Sequence, residues 1–185
     1  MKTEKKLIIA HPGLCTGCKS CEIACAVEHS KSKDIYFASL ETPLPIQRIR
    51  VLLRDSYSMP VRCQHCLDPP CLAACPTKAI FQTPEGFVLI NDSRCIGCGS
   101  CVGVCPVGAI QIHPELKIAI KCDFCVDRVR AGLLPACVEA CPTGALQFGT
   151  LDELRSKARA PTRAKMEETI SPKILREMLQ TVRWV

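Results

Sequence analysis

The chain has 185 residues, 16 of them cysteine, with an aromatic content of only 4% and a formal net charge of +6. That length suits one domain or two small ones, and so few aromatics exclude a large aromatic core, leaving cysteine chemistry to hold much of the fold. The few aromatic residues are scattered, with only Tyr36 and Phe37 adjacent, so there is no platform for stacking bases and the positive charge does not point to nucleic acid.

In chain order, the N-terminal stretch carries basic residues but only a four-residue apolar run, Leu7-Ile8-Ile9-Ala10, before His11-Pro12. It reads as a short strand, with no secretory signal, twin-arginine motif or membrane span. The expected location is therefore cytoplasmic, with room for peripheral association with a membrane complex. Thiols stay reduced there, and many cysteines signal metal rather than disulfides.

The first cysteine group follows, Cys15-Thr-Gly-Cys18-Lys-Ser-Cys21-Glu-Ile-Ala-Cys25, with Ala26 rather than proline after it. A helix can run through Cys21 to about His29, where the histidine caps or solvates the helix end rather than binding metal. Ser30–Asp34 reads as polar loop and Thr42-Pro43-Leu44-Pro45 as a turn or extended stretch. Ile46–Leu53 alternates like a strand, with Ile49, Val51 and Leu53 inward and Arg48, Arg50 and Arg54 outward to solvent, an acidic partner or a cofactor.

The second group, Cys63-Gln-His-Cys66-Leu-Asp-Pro-Pro-Cys71-Leu-Ala-Ala-Cys75-Pro76, has a widened middle spacing stiffened by Pro69-Pro70. His65 lies inside this loop. Its group already has four thiols, so it is expected to hydrogen-bond to sulfur or face solvent rather than ligate metal. Ala79-Ile80-Phe81, Pro84-Glu85-Gly86 and Phe87–Ile90 predict a hairpin, which recurs as Ala109–Ile112 and Lys117–Ile120.

Between the hairpins lies the third group, Cys95-Ile-Gly-Cys98-Gly-Ser-Cys101-Val-Gly-Val-Cys105-Pro106. The fourth is Cys122-Asp-Phe-Cys125, then, after a long gap, Cys137-Val-Glu-Ala-Cys141-Pro142. The phrases Cys75-Pro-Thr-Lys-Ala-Ile80, Cys105-Pro-Val-Gly-Ala-Ile110 and Cys141-Pro-Thr-Gly-Ala-Leu146 repeat one another, the mark of duplicated units. From Thr150 the cysteines stop. Thr150-Leu-Asp-Glu153 is a capping box, and Ser171-Pro172 opens a second helix with Ile174, Leu175, Met178, Leu179 and Val182 on one stripe and Trp184 beyond it.

Spacings of two, two and three before proline are those of bacterial iron–sulfur ferredoxins. Three thiolates on a short loop hold one [4Fe–4S] cube, while the fourth, already on a helix, points to a neighbouring cube. Zinc sites bring two Cys-x-x-Cys pairs together and leave the third and fourth cysteines of groups one and three unexplained. All sixteen cysteines are therefore candidate metal ligands, enough to complete four cubes with no iron left open. Each cube with its thiolates carries about −2 when oxidised, so four would take the formal +6 to roughly −2, and the basic residues mainly balance clusters. Lys19, Arg94 and Lys121 adjoin ligands and are expected to raise the potentials of their clusters.

The order of groups, the Cys-x4-Cys spacing in the second and Lys121-Cys-Asp-Phe-Cys-Val-Asp-Arg128 with its long gap to Cys137 resemble the four-cluster ferredoxin-type electron-transfer subunits. These include the beta subunits of dimethyl sulfoxide reductase and formate dehydrogenase and the ferredoxin-like proteins linked to hydrogenase and carbon monoxide dehydrogenase. The resemblance covers about residues 7–149. The lack of large insertions favours a compact soluble partner, and the segment from Ala26 to Pro45 looks most like the carbon monoxide dehydrogenase-associated protein.

The resemblance implies that group one pairs with four and group two with three. Cluster 1 would take Cys15, Cys18, Cys21 and Cys141; cluster 2, Cys122, Cys125, Cys137 and Cys25; cluster 3, Cys63, Cys66, Cys71 and Cys105; cluster 4, Cys95, Cys98, Cys101 and Cys75. Spacing demands crossed ligation but leaves open a sequential pairing of group one with two. The implied fold is α+β: two pseudo-symmetric ferredoxin-like modules with short hairpins and helices, and a C-terminal helical tail. Residues 1–149 would form the body, its outer module from 7–30 and 117–149 and its inner module from about 55–116, with the tail over 150–185.

The expected function is an electron-transfer subunit, not itself an enzyme, conducting single electrons through four clusters between a catalytic redox subunit and another carrier. That catalytic partner would be carbon monoxide dehydrogenase, hydrogenase or a molybdenum- or tungsten-pterin oxidoreductase such as formate dehydrogenase or aldehyde oxidoreductase. A free-standing soluble polyferredoxin is the alternative. No phosphate loop, dinucleotide fingerprint or nucleophile elbow is present.

Overall fold

The computed structural model describes residues 5–53 and 57–157. The chain divides after Phe148 into two units. The first is built from two-stranded ribbons and short helices, because the cysteine loops interrupt every longer run of regular structure. β1 (Leu7–Ala10) is where the apolar run predicts it and pairs with β8 (Leu146–Gly149), a strand that follows the third Cys-Pro phrase. The His11 N–H donates to the Ala145 carbonyl at 2.8 Å, tying the first cysteine group to the last.

α1 (Ser20–Glu28) carries Cys21 and Cys25 one turn apart on one buried face. Its N-cap, Lys19, is left-handed at φ 60, as Gly99 is at φ 79 before α4 (Ser100–Gly103). α2 (Ile35–Ala38), in a stretch without a predicted element, is started by Asp34, whose carboxylate accepts the N–H groups of Tyr36 and Phe37.

β2 (Ile49–Leu53) pairs antiparallel with β3 (Ser58–Arg62). Ile49 and Val51 are buried as expected, but Leu53 is exposed: it is the last residue of the strand, opposite Ser58 at the end of the two-stranded ribbon. Arg54 lies outside the described residues.

α3 (Pro70–Ala73) follows the Pro69-Pro70 pair and packs on α4, as α1 packs on α6 (Ala136–Glu139). β4 (Ile80–Gln82) and β5 (Val88–Ile90) form the first predicted hairpin. β6 (Ile110–Ile112) and β7 (Ala119–Lys121) form the second, β7 starting two residues later than expected because Lys117 is left-handed at φ 55. α5 (Val126–Arg130) leads from the fourth group toward α6.

Buried side chains fall into two cores. One gathers Ile8, Ile49, Val51, Phe87, Phe124, Val129 and Leu146 with Cys21, Cys25 and Cys137. The other gathers Ile80, Val88, Ile110 and Ala119 with Cys71 and Cys101. In the second unit, residues 151–157 are helical. The predicted capping box is formed in both directions, Thr150 N–H to Glu153 Oε2 at 2.9 Å and Glu153 N–H to Thr150 Oγ1 at 3.3 Å. The helix expected after Ser171 and the remainder of the predicted tail lie outside the described residues.

Candidate iron–sulfur sites

Two pockets of similar size face the cysteine loops. One is lined by Cys15, Cys18, Cys21 and Cys141. The other is lined by Cys75, Cys95, Cys98 and Cys101. Each takes three thiols from one loop and a fourth from a distant group.

Burial pushes the Cys137 thiol well up, and its neighbours Cys122, Cys25 and Cys125 push it further. Cys25 is likewise raised by burial, with Cys122 and Cys125 beside it, and burial takes Cys125 to about 12. Cys71 is raised by burial, pulled back by Lys121, and flanked by Cys63 and Cys105. Cys66, half-buried, shares with Cys63 the nearby Lys5 ammonium.

The backbone around these thiols suits clustered sulfur. N–H groups point at Sγ from Arg48 to Cys25 (3.2 Å), His65 to Cys63 (3.4 Å), Ala79 to Cys75, Ala109 to Cys105 and Ala119 to Cys95 (each 3.3 Å). Two of these belong to the Cys-Pro phrase, in which the amide four residues on returns to the thiol. Such N–H···S bonds stabilise charge on sulfur, which is how proteins hold and tune clusters beyond the ligands themselves. A soft all-thiolate donor set in fours, wrapped by amides, fits a [4Fe–4S] cube.

Glycine completes the geometry where the loop is tightest. A Cβ on Gly97, at φ +66, would lie 1.9 Å from the Lys117 carbonyl oxygen, so only glycine lets the third loop lie against the second hairpin. Cys18 and Cys98 are the two exposed thiols, and hydrogen bonds from the Ser20 and Ser100 hydroxyls lower them.

Polar groups beside the thiols settle several expectations. His29 ends α1, meets the Cys25 carbonyl through Nδ1 at 2.6 Å and sets Nε2 3.0 Å from Asp123. Arg48, expected to face outward, reaches Asp123 at 2.7 Å. Burial would raise the Asp123 carboxyl, but His29 and Arg48 outweigh it and hold it well below the usual carboxylate range. Arg50 is exposed and donates to Gln111 at 2.6 Å.

His65 is only 1% exposed, so its solvent-facing alternative fails. Its Nδ1 accepts the Val88 N–H at 2.9 Å, and its Nε2 has no partner among the described residues. Lys19 and Arg94 are exposed while Lys121 is buried. Sequence reasoning missed Asp123 and Arg62. Arg62 was signalled by position, since Arg62-Cys63 repeats the basic–cysteine step of Lys121-Cys122.

The 4Fe-4S dicluster domain family matches residues 55–151, and the 4Fe-4S binding domain family matches residues 12–28. Over 165 residues the chain is 44% identical to an iron-sulfur protein of Rhodospirillum rubrum, covering 82% of this chain and 86% of that one. The protein belongs to the four-cluster ferredoxin-type electron-transfer family typified by the beta subunit of dimethyl sulfoxide reductase. It is 41% identical over 140 residues to the thiosulfate reductase electron transfer subunit of Salmonella typhi, covering 75% of this chain and 72% of the relative. With a subunit of the tetrathionate reductase of Salmonella typhimurium it shares 39% identity over 143 residues, 77% of this chain and only 57% of that relative. The family's cofactor complement is four [4Fe–4S] clusters, which the sixteen thiols match. No helix of the described residues is long and apolar enough to cross a membrane.

Proposed function

We propose that the chain is the electron-transfer subunit of a reductase complex, taking single electrons at one surface cluster and delivering them at another. The carrying observation is the pair of matching pockets, each with one exposed thiol, Cys18 in one and Cys98 in the other. Cys25, Cys122, Cys125 and Cys137 are all buried. This distribution supports a wire whose ends touch partners and whose middle is kept dry.

The clusters supply one-electron carriers; the chain spaces them and excludes water. The ligand sets we assign are Cys15/Cys18/Cys21/Cys141, Cys25/Cys122/Cys125/Cys137, Cys63/Cys66/Cys71/Cys105 and Cys75/Cys95/Cys98/Cys101, two per ferredoxin-like module. Within a module, α1 carries Cys21 and Cys25 into different sets. Four residues of helix rise about 6 Å, so neighbouring clusters stay close enough for electron transfer.

The relatives named as reductase subunits favour a reductase catalytic subunit as partner. Nickel in the complex that co-purifies without oxygen would instead indicate carbon monoxide dehydrogenase or a hydrogenase; molybdenum or tungsten would indicate a pterin-dependent reductase. About sixteen irons per chain and no partner would indicate the free polyferredoxin. The ligand sets are tested by electron paramagnetic resonance of Cys18→Ser, Cys141→Ser and Cys66→Ser. Crossed ligation requires the first two to alter the same cluster signal and the third a different one. If Cys18→Ser and Cys141→Ser alter different clusters, the assignment is wrong.

A further inference from the structure

The described residues bury two cations deep in the body. Arg62 is 6% exposed and Lys121 is 3% exposed. Neither has a carboxylate within ion-pair distance among the described residues. Arg62 donates to the carbonyls of Cys63 (2.5 Å) and Ile8 and lies 6.0 Å from the centre of the Phe124 ring. Lys121 donates to the carbonyls of Cys122 (3.0 Å) and Val88. Carbonyls solvate a buried cation but do not neutralise it, and an uncompensated buried charge is strongly destabilising. Folding around two such groups requires negative charge nearby.

Sulfur beside the two cations supplies it, and each cation touches both cysteine loops. Arg62 immediately precedes Cys63, donates to its carbonyl and lies over Phe124 inside the Cys122–Cys125 loop. Lys121 immediately precedes Cys122, donates to its carbonyl and reaches the carbonyl of Val88, whose N–H meets His65 of the Cys63–Cys66 loop. The two loops therefore share both cations, and the Lys121 ammonium bears on Cys71 and Cys122 alike.

His65 lies beside both cations, its ring edge-on to Phe124 at 5.1 Å. It is neutral, with Nδ1 taken by Val88 N–H and the proton on Nε2. It therefore adds a dipole but no third positive charge. Arg94 holds the same place before Cys95, but it is exposed and water screens it.

We propose that Arg62 and Lys121 are a pair of positioning residues, buried counter-cations shared by the two inner clusters, one in each module. They hold both inner clusters at higher potential than the sulfur ligands alone would set. This inference rests on the ligand sets assigned above. The sign follows from charge: reduction adds an electron to an already negative cube, and a fixed cation in a dry site favours that state.

The test is an anaerobic redox titration of the whole chain, followed by electron paramagnetic resonance, for wild type, Lys121→Met and Arg62→Met. Met approaches the length of these side chains without the charge. The expected result is that two of four midpoint potentials fall in each variant, the two altered by Cys66→Ser and Cys125→Ser, while the other two stay. Lys121→Arg and Arg62→Lys should titrate like the wild type.

If a Met variant loses clusters while its charge-keeping partner retains them, charge is again what matters. Loss in both would make the role one of shape and overturn the inference. Fewer than four one-electron steps in the wild type would sink the functional reading together with this one. Four steps, with the Met variants superimposed on wild type, would overturn this inference alone.

Discussion

Gly97→Ala separates a steric requirement from a conformational one within a single loop. The new Cβ would sit 1.9 Å from the Lys117 carbonyl oxygen, where contacts below 3.0 Å are not tolerated, so the loop and the hairpin must part by more than about 1 Å. Lys117 is itself left-handed at φ 55, so its carbonyl has little freedom to turn away. Adding the αL penalty of roughly 1–2 kcal/mol for a residue with a Cβ, the total belongs with the rare substitutions costing about 4 kcal/mol or more.

Two neighbours calibrate that figure. Gly99, at φ +79, has nothing within 4 Å, so Gly99→Ala carries only the conformational term, offset by about 0.4–1 kcal/mol from the restricted unfolded chain. Gly103 lies within α4 with open space around it, and Gly103→Ala should be neutral or stabilising by about 0.5–1 kcal/mol. The assay is iron per chain after anaerobic purification, with thermal unfolding alongside. Gly97→Ala should fall from about sixteen irons toward about twelve as one cube is lost, while the other two keep all four. Gly97→Ala with full iron and an unfolding temperature equal to that of Gly99→Ala would refute the reasoning.

Asp123→Ala removes the carboxylate shared by Arg48, His29 and the Cys125 N–H; it should destabilise by about 1–3 kcal/mol, read by denaturant unfolding of the holoprotein. Phe124→Ala removes the ring that packs against Phe87 at 4.8 Å and meets His65 edge-on at 5.1 Å. It should cost about 3–5 kcal/mol and speed iron release on heating. Thr150→Ala breaks the capping box and should weaken the helix over 151–157 by about 1 kcal/mol, seen as roughly fivefold faster amide exchange in its first turn. An unchanged exchange rate there would mean the cap contributes nothing.

What the sequence made legible was local in range. Ligand spacing, the two hairpins, the first strand and the capping box each depend on residues a few positions apart, and each signal survives folding intact. Even the left-handed residue before α1 had a visible counterpart: Cys18-Lys19-Ser20-Cys21 aligns with Cys98-Gly99-Ser100-Cys101, so Lys19 occupies a position where glycine is the easier choice.

What stayed hidden required contacts distant in sequence. β8 reads as a strand only once β1 is beside it, and Leu53 looks inward until it proves to sit at the exposed end of its ribbon. Asp123 looks like a polar loop residue until α1 and β2 bring His29 and Arg48 to it from 94 and 75 positions away.

The same distinction explains why basic residues next to cysteines were hard to rank. Lys19, Arg62, Arg94 and Lys121 all adjoin ligands, and adjacency alone predicts equal influence on the clusters. Burial breaks the tie, since a charge in water is screened within a Debye length of roughly 8–10 Å and weakened by the high dielectric before that. Only Arg62 and Lys121 escape that screening, because they end β3 and β7 with their side chains turned inward. If those two cations tune clusters as proposed, tuning depends on strand register, which no ligand motif encodes.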